Sequence, residues 1–198
     1  VNTVCSSARP YTFRVNDIEE HASASPRIHL YLSPPRRDTL SQTLSQSTEM
    51  GVSEITFLLS DHNDYSQKER EPVVERSRRV LEAAVEQCRA PHLPQINETW
   101  VSVGDALKTL KGPAFFADED LSRSGTLGLT PAANFKPHDV LALFIGPEGG
   151  WSPKERDLMS QSSDVSPLGL GPRILKVPTA CVAALYQIQL LSKGNTSR

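Results

Sequence analysis

Residues 140–152 read VLALFIGPEGGWS, and this stretch limits the fold more than any other. Val140 to Ile145 form six apolar residues without a polar interruption. Such a run is short for a helix and suits a strand covered on both faces. Strands of that kind belong to parallel sheets, whose crossover helices lie on either side. Gly146-Pro147-Glu148-Gly149-Gly150 then breaks the strand, because glycine accepts backbone angles that other residues avoid. Beyond it a helix start is written in full. Ser152 serves as cap, Pro153 suits the first helical position, and Glu155 completes a Ser-x-x-Glu capping box.

The remainder alternates in the same way. A strand-like run, YTFRV, lies near the start, and RIHLYLS (27–33) reads as a strand. Residues 38–50 read as a helix with Asp38 as N-cap, stopped by Gly51, and ITFLLS follows as a strand. Residues 64–71 read as polar loop, and a long helix is expected from Pro72. Val73, Ser77, Val80, Ala84 and Cys88 lie on one face of it, with Arg79, Glu82, Glu86 and Arg89 as a charged stripe opposite. Then come a short helix (DALKTL), a short strand (PAFFAD), mostly loop over 118–139, the VLALFI strand, and the helix from Pro153. A strand at VSPLGL and a last helix from about Thr179 to Ser192 close the chain. That last helix is apolar nearly all round, which predicts burial in the core or an interface. The alternation predicts an α/β fold: a mostly parallel sheet with helices on both faces.

In such sheets ligands bind beyond the carboxyl ends of the strands, where Gly146 to Gly150 falls. A second strand-turn-helix segment, LGLGPRILKVPTA (168–180), carries Arg173 behind a Gly171-Pro172 turn. An arginine so placed can meet a phosphate or a developing negative charge, or else pair with a nearby carboxylate. Neither turn has the order of a known phosphate loop. Glu148 would repel a phosphate, so a ligand that is neutral or cationic near that acid is expected.

Other chemistries find little footing. His21, His29, His62, His92 and His138 lack metal-ligand spacing, there is no C-x-x-C, and no metal is expected. Cys88 and Cys181 fall among apolar helical positions and read as core residues; with Cys5 they fit a reducing compartment. A net charge of −2 argues against a globally basic nucleic-acid binder, although a local patch at Arg70, Arg76, Arg78 and Arg79 remains open. No apolar run approaches the ~20 residues that span a bilayer, so no membrane partner is expected. The first residue is Val1, not Met, so the chain is expected to be a processed or trimmed product, and a targeting segment is not to be looked for within it.

Taken together, TEMGV (48–52), EQC (86–88), IGPEGGWSPKE (145–155) and LGPRILKVPTA (170–180) resemble the RsmE-like family of 16S ribosomal RNA uracil-N3 methyltransferases, in the SPOUT superfamily. The resemblance covers about residues 27–191. It implies an α/β domain whose C-terminal segment threads into a trefoil knot, a homodimer, and S-adenosylmethionine as cofactor. The cofactor would be held by Ile145, by the loop of Gly146, Pro147, Glu148, Gly149 and Gly150, by Leu170, Gly171, Pro172, Ile174 and Leu175, and by Phe116 and Ala117. Arg173 would stabilise the developing charge or grip a phosphate. Glu86 would orient an arginine or assist proton removal, or is an ordinary surface charge. Arg79, Arg89 and Lys176 would meet RNA. The expected activity is methylation of N3 of a uridine in small-subunit ribosomal RNA, and the expected partner is that RNA or the small ribosomal subunit. The alternative is a non-catalytic RNA-binding or assembly factor with the same fold. Where the family usually reads L-R-T-E-T-A, this chain has Leu175 to Ala180 as LKVPTA, so Pro178 must sit in a tolerated first-turn position or shift the helix start. Residues 1–26 are expected to be an N-terminal arm or the remnant of a PUA-like domain, and residues 27–198 the methyltransferase domain. The expected location is the cytoplasm, or an organelle with bacterial-type ribosomes, such as the mitochondrion, if a targeting sequence has been removed.

Overall fold

The alternation of side chains along VLALFI divides the core in two. Leu141, Leu143 and Ile145 belong to one apolar cluster and Ala142 and Phe144 to another, and all five are buried. A strand wanted by both faces has no room for a polar residue, which is why the run is unbroken. The computed structural model describes residues 3–5, 13–15, 26–123, 127–129 and 140–194.

The strands are β1 (Thr3–Cys5), β2 (Phe13–Val15), β3 (Arg27–Leu32), β4 (Glu54–Leu59), β5 (Gln95–Ile96), β6 (Val101–Ser102), β7 (Ala114–Ala117), β8 (Leu127–Leu129), β9 (Val140–Ile145) and β10 (Val165–Leu170). The helices are α1 (Arg37–Glu49), α2 (Gln67–Cys88), α3 (Val103–Lys108), α4 (Glu119–Arg123), α5 (Pro153–Ser160) and α6 (Val177–Gly194). β1 and β2 pair antiparallel as a separate ribbon. The main sheet has the order β5-β4-β3-β9-β7-β10-β8, with β6 also paired to β4. Every pairing in it is parallel except that of β8 with β10. The expected α/β architecture is therefore the one observed.

α1, α2 and α6 cover one face. Leu40, Leu44, Val73, Leu81, Cys181, Leu185 and Ile188 pack there against Leu30, Phe57, Leu143 and Leu168. α3 and α5 cover the other, where Val103, Ala106 and Met159 meet Tyr31, Phe116 and Phe144. β9 enters between β3 and β7 although it follows both in sequence. α6 then returns from the end of β10 to pack on α1 and across β9.

Three helix starts differ from the sequence expectation. Asp38 is not the cap of α1; the cap position is Arg36, whose side chain makes no capping bond, and Asp38 lies in the first turn, where its charge suits the helix dipole. α2 begins at Gln67, not Pro72. Ser66 and Glu69 form a capping box inside the stretch read as loop, and Pro72 lies within the helix. Pro72 stands in the second turn, so it removes the bond that its N–H would have made to the Lys68 carbonyl. α6 begins at Val177, so Pro178 does occupy the first turn and costs no helical bond. The stretch 118–139, read as mostly loop, contains α4 and β8, and the remainder of it lies outside the described residues, as does most of the N-terminal arm.

α6 is buried on one side only. Cys181, Ala184, Leu185 and Ile188 are inaccessible, whereas Tyr186 and Leu190 are 55% and 51% exposed.

Candidate active site

β9, β7 and β10 lie side by side and run in the same direction. Their carboxyl ends at Ile145, Ala117 and Leu170 therefore reach one edge of the sheet together. A pocket of about 260 Å³ opens there, near the lower end of what small-molecule sites enclose. Of the cofactor residues expected from the sequence, Ala117, Ile145, Gly146, Pro147, Glu148, Gly150, Leu170, Ile174 and Leu175 line it. Arg173 and Lys176 line it too.

The glycine turn is shaped for this position. The Gly150 N–H donates to the Pro147 carbonyl at 2.9 Å, closing a tight turn. Gly150 has φ +71, a left-handed angle that a side chain would strain. At Gly146 a methyl group would stand 3.1 Å from the indole of Trp151, so the ring packs where a side chain would otherwise be. That indole donates to the Ala117 carbonyl at 3.0 Å and fastens the turn to the end of β7.

Behind the turn, α5 is anchored to the β4–α2 connection. The Glu155 carboxylate accepts from the Ser152 N–H at 2.9 Å and from the Asp61 N–H at 3.0 Å. The Ser152 hydroxyl donates to the Asp61 carboxylate at 2.6 Å. Glu155 is only 4% exposed, so these bonds satisfy a charge that burial would otherwise penalise. His62 Nδ1 lies 3.0 Å from the Gly150 carbonyl. A carbonyl only accepts, so Nδ1 carries the hydrogen and Nε2 is left bare in the neutral ring.

Some expected residues stand elsewhere. Phe116 is fully buried on the opposite face, packed with Phe144 and Trp151. Alternation along β7 sends it away from the pocket that Ala117 lines. Gly149 turns outward, and a methyl group there would meet His62 at 3.2 Å. Gly171 and Pro172 do not line the pocket; Gly171, at φ +109, makes the turn that brings Arg173 to it. Arg79, Glu86 and Arg89 are exposed on α2. This helix of 22 residues starts beside the pocket end of β4 and extends about 33 Å. Its last turn, with Glu86 and Arg89, therefore reaches the opposite end of the sheet, and the chain does not bring Glu86 to the pocket.

The pocket also has walls that sequence reading missed: Asp118, Glu119, Trp151, Val177 and Ala180. Asp118, 8% exposed, is paired with Arg156 of α5 at 2.9 Å. Asp118 ends the PAFFAD run and Glu119 follows it, and this position at a strand end was the available signal. Arg173 is exposed and has no carboxylate partner among the described residues. Among the described residues no group of His, Cys, Asp and Glu is placed to hold a metal ion, and no helix is long and apolar enough to cross a membrane.

Parallel strands ending together in a glycine-lined pocket, with acidic and cationic groups on its rim, define an α/β protein built to hold a small organic molecule beside a polar partner. The chain belongs to the RNA methyltransferase domain family, whose model matches residues 23–189. It is 25% identical over 156 residues to the ribosomal RNA small subunit methyltransferase E of Rickettsia conorii, covering 79% of this chain and 61% of that protein. It is 28% identical to the protein of the same name from Synechocystis, covering 83% of this chain and 53% of the relative. The chain thus spans between half and two thirds of the length of these two relatives. A Legionella pneumophila protein solved with its cofactor SAM bound superposes with a TM-score of 0.75 at 26% identity, covering 93% of this chain and 75% of that one. The ribosomal RNA small subunit methyltransferase E of Neisseria gonorrhoeae, solved with S-adenosyl methionine, shares the fold at a TM-score of 0.72 and 22% identity, covering 90% and 70%. The likeness read from the sequence motifs and these comparisons point to the same family.

Proposed function

We propose that the chain is an S-adenosylmethionine-dependent RNA methyltransferase that acts on N3 of a uridine in small-subunit ribosomal RNA. The observation that carries this reading is the convergence of three strand ends on one pocket, with the Gly146–Gly150 turn and the Leu170–Leu175 segment as facing walls. The donor set fits the cofactor. Ile145, Leu170, Ile174, Leu175 and Val177 supply an apolar cradle for a flat nucleoside, and Asp118, Glu119 and Glu148 supply negative charge for a sulfonium and an ammonium. When bound, the cofactor supplies an activated methyl group.

The chain's own residues do the rest. Trp151 holds the turn against β7, and Asp61, Ser152 and Glu155 fix the helix behind it. Such fixed geometry is worth much of the rate when two reactants must align. Arg173, on the pocket rim, stabilises negative charge on the uracil oxygens flanking N3. Lys176, also on the rim, and Arg79 and Arg89, on the outer face of α2, offer charge to the RNA backbone.

We further infer a homodimer through the outer face of α6, supported by the exposed Tyr186 and Leu190 on that helix. We also infer a threaded C-terminal segment, supported by the insertion of β9 between β3 and β7 and the return of α6 across β9.

The test is titration of the chain with S-adenosylmethionine by calorimetry, followed by methyl transfer to small-subunit RNA that lacks the modification. Micromolar cofactor binding with transfer is expected. Cofactor binding without transfer would favour an RNA-binding or assembly role, and no cofactor binding would remove the enzymatic reading.

A further inference from the structure

A second cleft, of about 250 Å³, adjoins the first and shares Pro147 and Glu148 with it as a common wall. Its other walls are Pro34, Arg36, Arg37, His62 and Tyr65, together with the carboxylates Asp64 and Glu69. We propose that this cleft is the acceptor-nucleotide subsite, and that Glu148 receives the proton that the acceptor base gives up. The proposal rests on the methyltransferase reading above.

The shared wall is the first argument. A methyl group passes between reactants about 3–3.5 Å apart, so an acceptor has to lie against the donor pocket. Pro147 and Glu148 are where these two cavities meet. Backbone bonding is the second argument. The Arg36 N–H donates to Glu148 Oε1 at 3.1 Å, which orients the carboxylate between the clefts. No described residue donates to its other oxygen.

The cleft also offers what a nucleotide needs. Tyr65 is held in place, its hydroxyl donating to the Pro35 carbonyl at 2.7 Å and its ring edge-on to Trp100 at 5.7 Å. With His62 it offers aromatic surface to a base. The His62 Nε2, bare in the neutral ring, can accept from a ribose hydroxyl. The Arg36 guanidinium has no carboxylate partner among the described residues. Arg37 reaches Glu69 only at 3.9 Å, with its side chain 66% exposed, a contact of little energy. Glu69 is itself engaged by the Ser66 N–H and hydroxyl at 3.0 and 2.7 Å. Both arginines are therefore available to a phosphate.

The proton balance suits a carboxylate. Uracil N3–H is only weakly acidic, in roughly the range of tyrosine, so its proton leaves as the methyl is transferred and not before. As N3 attacks the methyl carbon, that N–C bond forms while the carbon–sulfur bond breaks, and its electron pair stays on sulfur. The proton passes to Glu148 as N3 attacks, so the charge that develops on the base is negative, spread over N3 and its flanking oxygens, where Arg173 stabilises it. The products are the N3-methylated base, the neutral thioether and a protonated carboxyl, which returns its proton to water.

The test uses the 198-residue chain, labelled with ¹⁵N and titrated with uridine 5′-monophosphate, with and without S-adenosylhomocysteine. Amide shifts should centre on Arg37, His62 and Tyr65, and Arg36→Ala with Arg37→Ala should weaken binding about fivefold or more, the worth of one charge-assisted hydrogen bond. The N3-methylated nucleotide, which cannot donate to Glu148, should bind about fivefold more weakly than the parent, and Glu148→Ala should erase that preference. Shifts elsewhere, indifference to the two arginines, or a preference that survives in Glu148→Ala would overturn the proposal. Calorimetry with S-adenosylmethionine on the same samples reports separately on the cofactor pocket. A chain that binds the nucleotide as described but not the cofactor would refute the methyltransferase reading and leave a nucleotide cleft.

Discussion

The indole N–H of Trp151 donates to the carbonyl of Ala117 across 3.0 Å. One residue directly follows the glycine turn and the other ends a neighbouring strand, so this bond joins two walls of the pocket that are 34 residues apart in the chain. The same ring fills the space over Gly146. Trp151 is 6% exposed and packs with Phe116, Phe144 and Met159. The pocket is thus tied to the core by one side chain.

Replacing Trp151 by Phe keeps a ring but removes the bond and leaves a buried carbonyl without that donor. Unfolding free energy should fall by about 1–3 kcal/mol, and cofactor affinity should drop with it. Urea denaturation and calorimetry on the same variant check both.

Gly146→Ala places a methyl group against the indole at 3.1 Å. The ring must shift, and the pocket wall with it. A loss of cofactor affinity of about tenfold or more is expected, with a stability cost of about 1–3 kcal/mol. Affinity equal to the wild type would show that the turn does not touch the ligand.

Ser152→Ala removes the cap of α5 and the hydroxyl bonded to Asp61. A lost cap alone costs about 0.5–2 kcal/mol. The Asp61 carboxylate also loses a donor, so the upper part of that range is expected in a denaturant titration.

Arg173→Ala should spare cofactor binding within a few-fold and reduce methyl transfer by about a hundredfold or more, as removal of a charge-stabilising donor does. Equal losses of binding and transfer would place Arg173 in the cofactor cradle alone.

Burial pushes the Cys181 thiol up from 9.0 to about 12, with a partly opposing bond to the Ser47 hydroxyl at 3.1 Å. In the folded chain the thiol stays neutral where the unfolded chain has thiolate. Its contribution to stability is intact below about pH 9 and is lost as pH rises from there toward 12. The folded chain should therefore protect Cys181 from alkylation at pH 8. Between pH 9 and 11, Cys181→Ala should lose stability less steeply than the wild type, as thermal melts would show.

The sequence determined what neighbouring residues can decide among themselves. The unbroken run from Val140 to Ile145 required a doubly covered strand, Ser152 to Glu155 wrote a helix start, and two glycine turns marked two pocket walls. These rest on spacings of two to four residues, where side-chain direction and capping are local matters. Ser66 and Glu69 carried an equally local signal, obscured by the polar run around them and by Pro72.

Tertiary structure decided what depends on the order of strands. Ala117, Ile145 and Leu170 meet because β9 lies next to β7 and β7 next to β10, an arrangement no local pattern encodes. It brings Asp118, Glu119 and Trp151 into the pocket, turns Phe116 away from it, and sets Gly149 against His62. It also makes Glu148 the wall between two clefts. Burial of apolar surface selects the strand order that covers both faces of the sheet, and the polar residues at the strand ends are gathered as a consequence of that packing.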